Sequence, residues 1–64
     1  MSYKDLKPGH KYKTTWNDYP GESSAPATFV CVDQIFGEDD AIITIEIYGR
    51  LYTATAYQMI KEVW

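Results

Sequence analysis

Hydrophobic and polar residues alternate in several short runs along the chain, and turn-forming residues separate these runs. Residues 41–48 (AIITIEIY) alternate over their whole length and are rich in β-branched side chains, which is typical of a half-buried strand. Similar chemistry predicts three further strands and a short final one, over residues 11–16, 27–36, 51–55 and 61–64. Between the last two of these, residues 56–60 (AYQMI) are expected to form one helical or 3-10 turn.

Proline, glycine and acidic residues mark the connections between the predicted strands. Residues 7–10 (KPGH) fit a reverse turn, and residues 17–26 hold two of the three prolines, so a long surface loop is expected there. Residues 37–40 (GEDD) predict a polar connection. Gly49-Arg50 predicts a two-residue hairpin turn of type II′, which has glycine at its first central position.

The predicted turns also imply how the strands pair and which residues form the core. Across the hairpin, Ile45 would face Ala54 and Ile47 would face Tyr52, and across the 37–40 connection Val32 would face Ile45. Directly opposed residues share one face of a sheet, so these apolar side chains would point to the same side. The core set predicted in this way is Val30, Val32, Ile43, Ile45, Ile47 and Ala54.

The order of strands and loops resembles that of the Src-homology-3-like small barrels, a group that includes Tudor-like modules. The resemblance covers nearly the whole chain and rests on this layout rather than on a motif. It implies an all-β, five-stranded barrel in which residues 17–26 are the long RT-type loop and residues 37–40 the n-Src-type loop. An open oligonucleotide-binding barrel is the alternative, although 64 residues are few for it.

The small size of the chain raises the question of what stabilises it. Chains of this length often rely on disulfides or a bound metal. One cysteine and one histidine cannot form a disulfide or a four-ligand zinc site. We therefore expect one domain over residues 1–64, with a core of side chains alone and neither metal nor cofactor.

Residues that could carry out catalysis are few and scattered. His10 lies in a predicted turn, far in sequence from the strand that contains Cys31, so a nucleophile with an adjacent base is not indicated. Asp33 and Glu46 fall on the predicted solvent face of neighbouring strands rather than in a cleft. A non-enzymatic protein is therefore predicted.

The charge balance bears on the partners that the protein could bind. Six basic and nine acidic residues give a net charge of -3. Because duplex-binding domains usually carry a basic stripe, double-stranded DNA is not an expected partner. No apolar run approaches the roughly 18 residues of a membrane span, and the single cysteine suits a reducing compartment, so a cytoplasmic protein is expected.

Aromatic residues are unusually abundant, with ten rings in 64 residues. In Src-homology-3 domains, aromatic residues floor a peptide groove between the long loop, the n-Src-type loop and the 3-10 turn. The resemblance therefore implies an acid-rimmed groove for a protein partner with a basic segment. A small adaptor or inhibitor-like accessory protein is predicted, and the length of the chain is typical of the accessory proteins that phages carry. The residues predicted to bind are Trp16, Asp18, Tyr19, Glu22, Asp39, Asp40 and Tyr57. Alternatively, Trp16 and Tyr57 cover the core and Tyr19 anchors the loop.

Two further surfaces are suggested by the predicted pairing and by the distribution of charge. Phe29, Tyr48 and Leu51 would lie together on the outer face, where they would be covered by a terminal segment, would support self-association into a homo-oligomer or would bind a partner. Four of the six basic residues lie in the first thirteen positions. Combined with aromatic stacking, they suggest an alternative function as a binder of single-stranded nucleic acid or nucleotides. These candidate phosphate contacts are Lys4, Lys7, Lys11 and Lys13.

Overall fold

The computed structural model describes residues 1–18 and 25–63, with the side chains of residues 1–16 and 25–63. Five antiparallel strands form one sheet in the order β4-β3-β2-β1-β5, and these strands are β1 (Lys11–Thr14), β2 (Ala27–Ile35), β3 (Ala41–Ile47), β4 (Arg50–Thr55) and β5 (Met59–Glu62). Within the described residues, the remaining elements are three 3-10 turns, η1 (Tyr3–Asp5), η2 (Thr15–Asp18) and η3 (Ala56–Gln58). The predicted all-β fold is confirmed.

The hairpin between β3 and β4 turns one residue earlier than predicted. Tyr48 and Gly49 occupy the turn with φ of 51° and 80°, and two consecutive positive φ angles characterise the type I′ turn, whose twist matches that of the flanking strands. Ile45 consequently faces Tyr52 rather than Ala54. Because the pairing moves by two residues, the side chains of β3 and β4 stay on their predicted faces of the sheet.

Strand β2 departs further from the prediction because the pairing of β2 with β3 is interrupted twice. The register shifts between Phe29 and Cys31 and again between Val32 and Gln34. Phe29 therefore faces Ile45, a position that the prediction gave to Val32. An extra residue in one strand inverts the alternation beyond it, so Phe29 is 3% exposed and Val30 is 37% exposed. The placements of Val30 in the core and of Phe29 on the outer face were both wrong.

The core lies on one face of the sheet, called here the inner face, and joins residues from all five strands. Its buried apolar members are Leu6, Tyr12, Ala27, Phe29, Ala41, Ile43, Ile45, Ala54, Ala56 and Met59. Of the predicted core set, Ile43, Ile45 and Ala54 are buried, whereas Val32 and Ile47 are partly buried against this cluster. Tyr52, predicted to point inward, lies on the inner face but remains 46% exposed.

The first residues of the chain close one end of the core. The Met1 ammonium group donates hydrogen bonds to the carbonyl oxygens of Ala56 and Met59, at 3.0 and 2.6 Å. The backbone N–H of Tyr3 donates to the carbonyl oxygen of Glu38 at 2.8 Å. The N-terminal segment is thereby tied both to η3 and to the loop between β2 and β3.

Candidate binding groove

An open groove lies beside the β3–β4 hairpin on the inner face of the sheet. It encloses about 540 Å³, which is within the size range of small-molecule and side-chain pockets. The residues that line this aromatic groove are Trp16, Ile45, Ile47, Tyr48, Arg50, Tyr52 and Thr53.

Two segments that are distant in sequence contribute the aromatic rings of the groove. Trp16 comes from η2, which directly follows β1, whereas Tyr48 lies in the hairpin turn and Tyr52 in β4. Trp16 also packs against the core cluster, so its ring is held by the fold. In the sheet, β2 and β3 lie between β1 and β4. The groove therefore exists only once the whole sheet has formed.

The floor and the rim of the groove differ in chemistry. Ile45 and Ile47 belong to β3 and provide an apolar floor. The rim carries the hydroxyl groups of two tyrosines and the guanidinium group of Arg50, which is the single charged group among the described lining residues. An arginine between aromatic rings can stack on them and can bind a carboxylate through two parallel hydrogen bonds.

The residues predicted to bind a partner are not brought together by the described part of the chain. Trp16 lines the groove, but Tyr57, which is 72% exposed in η3, does not. Asp39 and Asp40 precede β3, whereas Ile47 and the hairpin turn are at its other end, about 20 Å away for a seven-residue strand. Asp39 and Asp40 thus do not rim the aromatic groove.

Three of the predicted binding residues lie partly or wholly outside the described residues. Asp18 belongs to η2, but its side chain is not described. Tyr19 and Glu22 fall within residues 19–24, outside the described ranges, as does most of the predicted long loop.

The predicted self-association patch is divided by the structure. Phe29 belongs to the core, while Tyr48 and Leu51 are exposed, Tyr48 by 85%. Tyr48 lines the aromatic groove and Leu51 does not. The sequence did not predict that Tyr48 lines the groove, because Tyr48 was placed within a strand. The alternation did correctly predict that two other lining residues, Ile47 and Tyr52, share one face of the sheet.

The four N-terminal lysines do not form one cluster. Lys4 forms an exposed ion pair with Glu38 at 3.2 Å, and the hydrogen bond and negative charge of Glu38 raise the pKa of the Lys4 ammonium group. Lys7 is exposed in the first turn. Lys11 lines a smaller hollow on the outer face that also contains Glu46. The positive charge of Lys11 is therefore accompanied by a carboxylate.

The β1–β5 pair brings two cationic residues into register. Lys13 faces Lys61 directly across the two strands, and directly opposed side chains are about 5 Å apart at Cβ. Lys11 lies two residues before Lys13 and so shares its face of the strand. The outer face of β1 and β5 therefore carries three neighbouring basic residues.

The polar groups near Cys31 form a small hydrogen-bonded set on the outer face. The Cys31 thiol donates to Asp33 Oδ1 at 3.6 Å, and Thr44 Oγ1 donates to Asp33 Oδ2 at 2.7 Å. His10 pairs instead with Glu62 through Nδ1 and Oε1. Within residues 1–18 and 25–63, no group of three or more His, Cys, Asp or Glu side chains could hold a metal ion.

Comparison of the chain with protein-family models, with curated proteins and with solved structures finds no match. Within the described residues, no helix is long and apolar enough to cross a membrane.

Proposed function

We propose that the protein is a non-enzymatic protein-interaction module, an adaptor or inhibitor-like accessory protein, and that it binds its partner in the aromatic groove. The observation that carries this proposal is the convergence of Trp16 with Tyr48 and Tyr52 of the β3–β4 hairpin around an apolar floor in which Ile47 is partly exposed. Exposed apolar groups in one contiguous site are typical of interaction surfaces.

The residue types in the groove are those that contribute most to protein interfaces. Tryptophan, tyrosine and arginine are enriched among the few residues that dominate binding energy. Trp16 is already packed against the core, so little conformational entropy is lost when a partner contacts it. An apolar side chain of the partner would remove Ile47 and the rings from water.

The charge next to the groove suggests the chemistry of the partner segment. An acid-rimmed groove would select a basic segment, but Asp39 and Asp40 lie at the other end of β3. Arg50 is the charged residue of the described lining. We therefore expect a large apolar or aromatic side chain flanked by an acidic residue that pairs with Arg50.

Selection from a displayed peptide library, followed by titration of the selected peptides, tests this proposal. Peptides with an aromatic residue and a neighbouring acid should be enriched. Replacing Tyr48 by alanine should weaken their binding by roughly tenfold, since an interface aromatic contributes about 1–2 kcal/mol or more. Tyr57→Ala is the matched control, because Tyr57 is a similarly exposed tyrosine outside the groove. Equal losses of peptide affinity in both variants, or a loss only in Tyr57→Ala, would contradict the proposal that peptides bind in the groove.

A second function, binding of single-stranded nucleic acid, is favoured by one observation. The row of Lys11, Lys13 and Lys61 places three basic residues on one outer face of β1 and β5. Such a face would contact phosphates, while Tyr48, which is exposed and lines the hollow beside Lys11, stacks on a base. Binding of a fluorescent oligothymidine should then fall steeply with added salt and should be weakened by Lys61→Gln. No binding at low salt would exclude this alternative.

A further inference from the structure

The two strands at the ends of the sheet order are not equivalent as edges. β4 pairs with β3 on one side, and β5 pairs with β1 on one side. Among the described residues, no strand pairs with the other side of either. The outer side of an edge strand presents N–H and C=O groups to which another chain can add.

The groups that β4 presents outward can be identified from one hydrogen bond. The backbone N–H of Thr55 donates to Oε1 of Gln58 at 3.0 Å, so it faces away from β3. In an antiparallel strand, alternate residues direct both backbone groups to the same side. Leu51 and Thr53 therefore direct their N–H and C=O groups to the outer side of β4, where no described backbone group pairs with them.

The side chains of β4 do not protect this edge. Natural sheets protect edges with charged residues, proline, bulges or very short strands. β4 has six residues, no proline, no register shift against β3, and one charge, Arg50 at its first position. β5, by contrast, has four residues, contains Lys61 and Glu62, and meets β1 across a register shift.

From this geometry we infer that β4 pairs with β4 of a second copy of the chain, antiparallel, around a twofold axis at Tyr52. In this register Leu51 of each copy faces Thr53 of the other, so all four outward groups of both residues bond. Centring on Thr53 instead would bring Leu51 opposite Thr55, whose N–H is already bonded to Gln58. Centring on Leu51 would bring Thr53 opposite Gly49 of the turn.

The side chains of β4, like its backbone groups, are compatible with pairing between two copies of the strand. In the Tyr52-centred register, Arg50 faces Ala54, so no like charges are opposed. Tyr52 faces its own copy on the inner face, where each ring is 46% exposed in the single chain. An aromatic cross-strand pair stabilises such a ladder. The two aromatic grooves would then lie on either side of the axis, although the pairing does not depend on what the grooves bind.

Sedimentation velocity over a dilution series measures this dimer directly. The unmodified chain should show a concentration-dependent dimer. Tyr52→Lys places like charges opposite each other and removes the aromatic pair, so it should raise the dissociation constant at least about tenfold. Ile60→Lys is the matched control, since Ile60 lies on β5 and is 45% exposed. A monomer at every attainable concentration, or equal weakening by both variants, would overturn the inference.

A cysteine at the proposed axis tests the register. In the Tyr52-centred register the opposed residues form a non-hydrogen-bonded pair with Cα atoms about 4.5 Å apart, within disulfide range. Tyr52→Cys in a Cys31→Ser background should therefore form a covalent dimer on mild oxidation, whereas Lys61→Cys in the same background should not. Cys31 is replaced because it is itself exposed.

Hydrogen exchange provides a readout that does not depend on any substitution. The amides of Leu51 and Thr53 should be protected at high protein concentration and should lose this protection on dilution. A dimer in which both amides exchange unprotected would be held by another surface, and the inference would be wrong. Failure of these three tests would not contradict peptide binding by the unmodified chain, so the two proposals can fail separately.

Discussion

The two edges of the sheet differ in how the rest of the fold holds them. The β5 edge is bound into the fold, because Met59 is fully buried, its carbonyl oxygen accepts from the Met1 ammonium group, and Val63 N–H donates to the carbonyl oxygen of Lys11 at 2.8 Å. The β4 edge has exposed side chains and lines the aromatic groove. One edge is thus fixed by the fold, whereas the other is left exposed for the contacts that we propose.

The largest expected effect comes from removing the buried anchor of β5. Met59→Ala should lower the free energy of unfolding by about 2–5 kcal/mol, because it deletes a fully buried side chain. Urea denaturation followed by circular dichroism measures this loss. Ile60→Ala, on the next and exposed position of the same strand, should cost much less. If the two variants were equally stable, β5 would not be the stabilising edge.

The hairpin that carries the groove depends on backbone conformation rather than on packing. Gly49 has φ of +80°, and a Cβ built there meets nothing within 4 Å, so Gly49→Ala introduces strain without a steric clash. We expect a loss of about 1–2 kcal/mol by urea denaturation, the usual cost of left-handed backbone for a residue with a Cβ.

Gly37→Ala is the control for this effect. A Cβ at Gly37 would lie 3.7 Å from the Cβ of Asp40, an ordinary contact, and Gly37 is not among the positive-φ glycines. This variant should be close to neutral. A loss at Gly37 as large as that at Gly49 would indicate that the loop between β2 and β3 is as constrained as the hairpin.

Local chemistry predicted most strand positions, because alternation and turn residues act over a few neighbouring positions. Strands β2, β3 and β4 begin and end within one residue of the prediction. The one-residue shift of the hairpin turn changed the predicted pairing by two residues. Because side chains alternate with a period of two, the predicted faces of β3 and β4 were still correct. The bulge near Val30 could not be predicted in this way. Val30 and Phe29 are both good strand residues, and only the packing of β2 on β3 decides which one is buried.

The groove was predicted less well than the strands for a related reason. Trp16 was singled out as a binding residue, but its neighbours Ile47 and Tyr52 are more than thirty positions away in sequence. Their proximity depends on how the complete sheet places η2 beside the β3–β4 hairpin. Sequence pattern gives the face of each residue, whereas this juxtaposition is a property of the tertiary structure.

A smaller effect on stability is expected from the buried hydroxyl group of Tyr12 on β1, which supports the first turn of the chain. Tyr12 is fully buried, and its Oη accepts a hydrogen bond from the backbone N–H of Lys7 at 2.8 Å. Tyr12→Phe keeps the ring but leaves that N–H without its acceptor, at a cost of about 1 kcal/mol. Denaturation measures the loss, and exchange of the Lys7 amide should accelerate. An unchanged exchange rate would show that Tyr12 does not hold the turn.

The smallest expected effect concerns the contact between His10 and Glu62 at the exposed end of β5. His10 Nδ1 and Glu62 Oε1 join the first turn to the last strand, and both side chains are partly exposed. Exposed pairs contribute about 0–1 kcal/mol, so Glu62→Gln should change stability only slightly. A double-mutant cycle with His10→Asn isolates the pair. A coupling energy well above 1 kcal/mol would mean that this pair stabilises the β5 edge together with Met59. The difference in stabilisation between the β5 edge and the unprotected β4 edge would then be larger than expected.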